Sequence, residues 1–252
     1  MATGSGGGVG GGAGGGAGGA GDDGGLDEAT PPAQQDRLMA EVAEAWELWT
    51  SGRDEEALCK YSEVLRVAPR CWQALQDRGV HFIRRGELRR ADADLTAALQ
   101  IDPSRASLWN DRAACRLEAG EPEAALSDAE EAVALEPELA GARSNRGNAL
   151  RQLGRPEAAK LEYNHALELS PSDAVTWNNR GALHEQLGNL VAAHLDFAHA
   201  LELDAHYAKA AENHARVERA LVEAELLPLE LREGGPLELR PMSDLRGLVK
   251  IE

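Results

Sequence analysis

An arginine and a carboxylate stand sixteen residues apart four times in this sequence: Arg78 with Asp94, Arg112 with Asp128, Arg146 with Glu162, and Arg180 with Asp196. Upstream, the same two positions carry Glu44 and Lys60, with the charges exchanged. Two chemistries fit such a row. The guanidinium groups could form a ladder for an anionic ligand, because arginine presents paired donors that match carboxylate and phosphate. Alternatively each pair closes on itself and orients two segments of chain. The exchange at Glu44 and Lys60 favours internal pairs, since two touching charges tolerate swapping and an anion site does not. If such a pair is partly buried, deleting one partner strands the other's charge.

Asparagines form a second row: Asn110, Asn145, Asn148, Asn178 and Asn179. A primary amide donates to a C=O and accepts from an N–H, so a line of amides can grip an extended peptide without reading its side chains. Solvated helix faces and caps use the same residue, and both readings stay open here. A third group, Met39, Val42, Trp46 and Trp49, is spaced 3, 4 and 3 residues apart, which is one stripe of a helix. With Val80 and Ile83 it could anchor an apolar peptide side chain, or it could be buried against a neighbouring helix.

Reactive chemistry is not indicated. The chain shows no nucleophile with a matched base, no phosphate-cradling loop and no carboxylate dyad, so no catalytic residue is expected and the protein is read as no enzyme. Seven histidines, among them His184, His194 and His199, lack the i, i+4 pairing with a carboxylate that a zinc site uses. Cys59, Cys71 and Cys115 are an odd number without metal-ligand spacing and read as reduced thiols. No metal and no cofactor is therefore expected.

The elements that must position these residues follow a fixed period. Segments beginning at Leu38, Trp72, Ala106, Ala140 and Ala174 repeat every 34 residues, giving 38–71, 72–105, 106–139, 140–173 and 174–207. Gly52, Gly86, Gly120, Gly154 and Gly188 fall where a left-handed residue ends a first helix. Pro122 and Pro156 follow two residues later, at the start of a second helix where a missing N–H matters little. Ala45, Gly79, Ala113, Gly147 and Gly181 in the first helix, and Ala57, Ala91, Ala125, Ala159 and Ala193 in the second, are small enough for close approach of the two axes. Pro69, Pro103, Pro137 and Pro171 end the second helix.

This pattern resembles the tetratricopeptide repeat family over residues 38–207, with Trp109 and Trp177 at its tryptophan position and Tyr61, Tyr163 and Phe197 at its second aromatic position. Arg143 replaces the tryptophan, Leu95 and Ala129 the second aromatic, and Ala205 the fifth proline. The resemblance implies an all-α, right-handed superhelical solenoid of five helix-turn-helix repeats, whose first helices line a concave groove. In O-linked sugar transferases and kinesin light chains of this family, asparagines at such positions hold the backbone of an extended peptide. Asn145 and Asn179 match that ladder, whereas Asp111, Asp77 and Ala43 stand at the corresponding places upstream. The clamp for two carboxylates found in the family's co-chaperones is not matched: Gln76, Val80, Asn110, Ala114, Ser144 and Asn148 occupy its positions, and no lysine is among them.

Outside the repeats, residues 1–36 hold 15 of the 27 glycines in the run up to Gly25, a composition with nothing to bury, and are expected to be a disordered tail. Residues 208–227 are expected to form a capping helix with Ala211, Ala215, Val222 and Leu226 on its apolar face. Residues 228–252, where Pro-Leu-Glu-Leu-Arg occurs twice, are expected to be a flexible tail. The net charge of -17 repels phosphate backbones and anionic lipids, so no nucleic acid and no membrane is expected and the partner should be a neutral or basic protein or peptide. No apolar run reaches the ~20 residues of a membrane span and no secretory signal opens the chain, which makes a cytoplasmic or nuclear location the expectation. The expected function is that of a non-catalytic adaptor or scaffold that binds an extended peptide or a partner helix in the concave groove. Alternatives are a homo-oligomerising structural protein and an accessory subunit of an enzyme or a co-chaperone-like factor, and the oligomeric state stays open.

Overall fold

The computed structural model describes residues 31–224, and these are all-helical. The helices are α1 (Pro32–Thr50), α2 (Asp54–Val67), α3 (Trp72–Arg84), α4 (Leu88–Ile101), α5 (Ala106–Glu118), α6 (Pro122–Leu135), α7 (Ala140–Gln152), α8 (Pro156–Leu169), α9 (Ala174–Gln186), α10 (Leu190–Leu203) and α11 (Ala208–Glu223). The glycine-rich stretch and the repeated Pro-Leu-Glu-Leu-Arg lie outside the described residues. The boundary expected at residue 36 falls inside α1, which begins at Pro32, at the one end of a helix where proline's missing donor is not needed.

Each odd-numbered helix up to α9 turns into the next even-numbered one through a glycine with positive φ, between 70° and 80° at Gly52, Gly86, Gly120, Gly154 and Gly188. A side chain there would strain the backbone. Within pairs, size is complementary. A Cβ added at Gly147 would lie 2.7 Å from the Tyr163 ring, and one at Gly181 would lie 2.8 Å from Phe197. Opposite Ala113 the second helix carries Ala129 instead of an aromatic, so neither residue needs to be glycine.

Pairs then stack on pairs as a solenoid, and odd-numbered helices also touch the next odd-numbered helix, α1 with α3 through to α9 with α11. Among the described residues, even-numbered helices make no comparable contact with one another. In a curved stack the layer that closes up is the inner one, so α1, α3, α5, α7, α9 and α11 line the concave side. The apolar core runs between the layers, from Val42, Ala45, Tyr61 and Val64 at one end to Phe197, Val217 and Leu221 at the other.

Helix α11 corrects an expectation. Ala211, Ala215 and Val222 are exposed, and the buried residues are Ala210, Asn213, Val217 and Leu221, displaced from the predicted stripe. Alanine occurs on both faces of α11 and is too weakly apolar to choose between them. The helix instead continues the register of the earlier inner helices, whose buried Ala74, Leu108, Ala142 and Thr176 are Ala210's equivalents. The helix ends at Glu223, and Leu226 lies outside the described residues.

Candidate functional site

The arginine row packs between layers. Arg78 donates through Nε and Nη2 to Asp94 at 2.7 and 2.9 Å, Arg112 to Asp128 at 2.9 and 2.8 Å, and Arg180 to Asp196 at 2.9 and 2.8 Å. Arg146 reaches Glu162 through one bond of 2.6 Å, and Lys60 pairs with Glu44. The three two-bond pairs are fork-to-fork and held largely away from solvent, the geometry in which guanidinium pairs are strongest. A further contact was missed in the sequence. The remaining Nη1 of Arg78 donates to Ser62, that of Arg112 to Thr96 and that of Arg180 to Asn164, each sixteen residues upstream in the preceding even-numbered helix. Each of these three arginines thereby joins three helices and two repeats, leaving no unsatisfied fork for an anion. Arg143, which departs from the tryptophan pattern, donates to the Pro137 carbonyl at 2.8 Å, the bond that the indoles of Trp109 and Trp177 make to Pro103 and Pro171.

The asparagines lie on the inner helices, but four of the five are engaged within the protein. Asn145 Nδ2 donates to Asn110 Oδ1 at 2.9 Å, and Asn213 Nδ2 donates to Asn178 Oδ1 at 2.8 Å. Gln76 Nε2 donates to Asp111 Oδ2 at 2.6 Å in the same way. All three span 35 residues, the repeat period plus one, and form polar rungs between successive inner helices. Gln76, Asp111 and Asn213 had no role of this kind in the sequence reading, although the 35-residue spacing was available to show it. Asn148 accepts from the Tyr163 hydroxyl at 2.7 Å. Asn179 makes no hydrogen bond among the described residues: its rung position is Ser144, whose hydroxyl oxygen instead accepts from Thr176 at 2.8 Å.

The stripe on α1 is divided. Val42 and Trp49 are buried, whereas Met39 and Trp46 stay half-exposed. Trp46 meets Trp49 edge-on at 4.6 Å, and Arg84 caps the Trp49 ring at 4.5 Å.

Two features of the inner face are open. Toward the C-terminal end, a cleft of ≈ 590 Å³ is bounded by α7, α9 and α11, with Arg151, Asn179, Gln186, Tyr207 and Lys209 in its wall. Arg151 has no carboxylate partner among the described residues; its guanidinium donates to the Tyr163 hydroxyl, and its buried Nε has no acceptor. Burial pushes the Tyr207 hydroxyl up to about 12, with Asp173 and Asp204 adding to the shift, so it acts as a neutral donor and acceptor. Toward the other end, burial pushes the Asp77 carboxyl up to about 7, and the neighbouring Asp111 adds to the shift. Asp111 itself rises to about 6 through burial, opposed by its bonds from Gln76 and Asn110. Among the described residues, no three histidine, cysteine or acidic side chains are grouped to hold a metal ion, and no helix is long and apolar enough to cross a membrane.

Comparison with known proteins agrees with this architecture. The TPR repeat family matches residues 147–188, and the tetratricopeptide repeat family matches residues 42–106 and 77–141. Among solved structures, TTC0263, a thermophilic TPR protein of Thermus thermophilus, is 20% identical, with 73% of this chain and 99% of that one covered at a TM-score of 0.63. PilF of Pseudomonas aeruginosa is 21% identical, covering 80% of this chain and 97% of its own at 0.59. YrrB, described as a TPR protein with an unusual peptide-binding site, is 19% identical, covering 74% and 91% at 0.51. A search among curated protein sequences returned no match. The chain belongs to the tetratricopeptide repeat family, whose members are in general scaffolds for protein interaction.

Proposed function

We propose that this protein is a non-catalytic adaptor that holds an extended peptide, or an extended segment of a partner protein, along the inner face of the solenoid. The observation that carries this reading is the cleft between α7, α9 and α11, where Asn179 has an uncommitted amide and Arg151 a guanidinium without a carboxylate among the described residues. An amide and a cation lining one cleft offer donors to peptide carbonyls or a carboxylate and one acceptor to a peptide N–H. The half-exposed Met39 and Trp46 offer apolar contact at the far end of the same face. A peptide-binding TPR protein among the structural neighbours adds support by analogy of fold. Asn110, Asn145 and Asn178 then serve the peptide indirectly, by fixing the spacing of the helices that flank it.

Selection of a phage-displayed library of random 12-residue peptides on the full chain tests this. Enrichment is expected with the wild type and its loss with the pair Arg151→Ala and Asn179→Ala, while the double variant keeps its helical circular dichroism. Enrichment that survives in the folded double variant, or that never develops, would sink the reading.

A further inference from the structure

The rungs between successive inner helices are one device used along the whole face, and it fails at two places. Position 111 is held by Gln76, position 145 by Asn110 and position 213 by Asn178. At 179 the partner residue Ser144 is engaged elsewhere, which leaves a neutral amide. At 77 the residue 35 positions upstream is Val42, buried and without any polar atom in its side chain. Asp77 is left with neither a hydrogen bond nor an ion pair among the described residues. What stands next to it along the face is Asp111, a second acid already held by Gln76 and Asn110.

A second vacancy lies at the same junction. In the fourth repeat Tyr163 donates its hydroxyl to Asn148. The equivalent pair in the first repeat is Tyr61 and Trp46, and an indole carbon face offers no such acceptor. The Tyr61 side chain is wholly buried, its hydroxyl has no partner among the described residues, and burial together with the Asp77 charge pushes its ionisation far upward. Buried polar groups without partners are uncommon in native proteins, and each calls for an explanation. Trp46 lies one turn beyond Val42 on the same face of α1 and is half-exposed. The Arg84 guanidinium does not supply the missing charge, being stacked on Trp49.

We propose that Asp77 is the subsite for a lysine or arginine side chain of the peptide held along the inner face, with the half-exposed Trp46 ring beside it. This rests on the groove reading above and narrows it, by naming the kind of side chain the N-terminal half of the groove selects. A carboxylate lacking a counter-charge in a sheltered site is attracted to an incoming cation more strongly than one already paired, and an indole face adds a cation–π contact. The acid excess of the chain as a whole acts in the same direction at long range.

The test uses the random 12-residue library on the full chain as wild type, as Asp77→Asn and as Val42→Gln. Asparagine stands at the equivalent positions 145, 179 and 213, so Asp77→Asn keeps a residue the fold accepts. Val42→Gln keeps the charge but gives Asp77 the partner that Gln76 gives Asp111; if it fails to fold, Asp77→Asn alone decides. Wild-type selection should yield peptides with lysine or arginine at a fixed place. Replacing that lysine by methionine in a synthetic copy should weaken binding to wild type by roughly tenfold or more, and leave binding to Asp77→Asn nearly unchanged. Enriched peptides with no basic preference, or a lysine effect undiminished in Asp77→Asn, would overturn the inference while leaving the groove intact. Failure to enrich any peptide overturns both.

Discussion

The two ends of the solenoid are joined to it by opposite means. At the first junction, α1 meets α2 and α3 through Leu38, Val42, Ala45, Trp49, Tyr61 and Val64, and the polar rung is missing. At the last junction the apolar cluster is smaller, Ala193, Phe197, Val217 and Leu221. There the rung from Asn213 to Asn178 is made, and Arg216 adds a two-bond ion pair to Glu185 at 2.7 and 2.6 Å. Apolar packing holds an end without dictating what its exposed face must bond, and Asp77 there has neither hydrogen bond nor ion pair among the described residues. A polar rung fixes the spacing of two helices and uses up the groups that make it. On the proposed reading, the N-terminal junction chooses a peptide side chain and the C-terminal junction shapes the cleft.

The largest effect should come from removing the apolar anchor of the first end. Trp49→Ala truncates a buried ring that also carries the Trp46 and Arg84 contacts, and is expected to cost about 3–5 kcal/mol in urea unfolding. Trp46→Ala should cost only about 1–2 kcal/mol, because its ring is half-exposed and loses less burial. Equal losses in the two variants would mean that both rings are core and that Trp46 is unavailable to a peptide.

Next in size is the rung at the other end. Asn213→Ala leaves Asn178 Oδ1 buried without its donor, and an orphaned buried acceptor is worth roughly 1–3 kcal/mol. The loss should localise: amide exchange in α11 should speed up while α1 and α2 stay protected, because in a solenoid each unit is stabilised only by its neighbours. Uniform loss of protection along the chain would refute the view that the two ends are held independently.

How far these features were legible in the sequence depends on whether one repeat or two are needed to define them. The 34-residue period, the glycines at 52, 86, 120, 154 and 188 and the small-to-large pairing are properties of a single helix pair, and the all-α solenoid followed from them. The sixteen-residue spacing of Arg112 and Asp128 is also internal to one repeat, and the sign exchange at Glu44 and Lys60 made its meaning readable. The rungs belong to two repeats at once. Asn145 stayed open between a peptide contact and a solvated helix face because its partner Asn110 lies 35 residues away, one more than the repeat period that relates equivalent positions. The face of α11 was misjudged for a related reason: its composition is alanine-rich all round, and only docking against α10 selects Ala210 and Val217 over Ala211 and Val222.

The vacancy at Asp77 should itself be measurable as stability. A carboxyl whose pKa is raised in the folded state is held better there when protonated, so folding is favoured at low pH and that contribution is lost as pH rises from about 4 to about 7. Asp77→Asn removes this loss. The variant should be more stable than wild type by roughly 1–2 kcal/mol at pH 8, a figure reduced from the full linkage value because the side chain is only partly sheltered from water, and no more stable at pH 4. A gain at pH 4 equal to that at pH 8 would place the effect in packing and remove the uncompensated charge from the account.

The smallest expected effect is the mirror image at the other end. His194 of α10 and His214 of α11 stack with ring centroids 4.4 Å apart, and His194 Nδ1 is buried without a partner among the described residues. Burial lowers both, His214 to about 4 with the His194 charge adding to the shift. A base whose folded pKa is depressed stabilises the fold while neutral, and this contribution is lost as pH falls from the ordinary histidine range near 6.5 toward 4. Going from pH 7 to pH 5 should therefore weaken the docking of α11 by about 1 kcal/mol, read as faster intrinsic-rate-corrected amide exchange in α11 than in α1. His214→Phe keeps a ring in the stack and should abolish most of this difference. Exchange in α11 that stays pH-sensitive in His214→Phe would mean that the histidine pair is not what couples the last helix to pH.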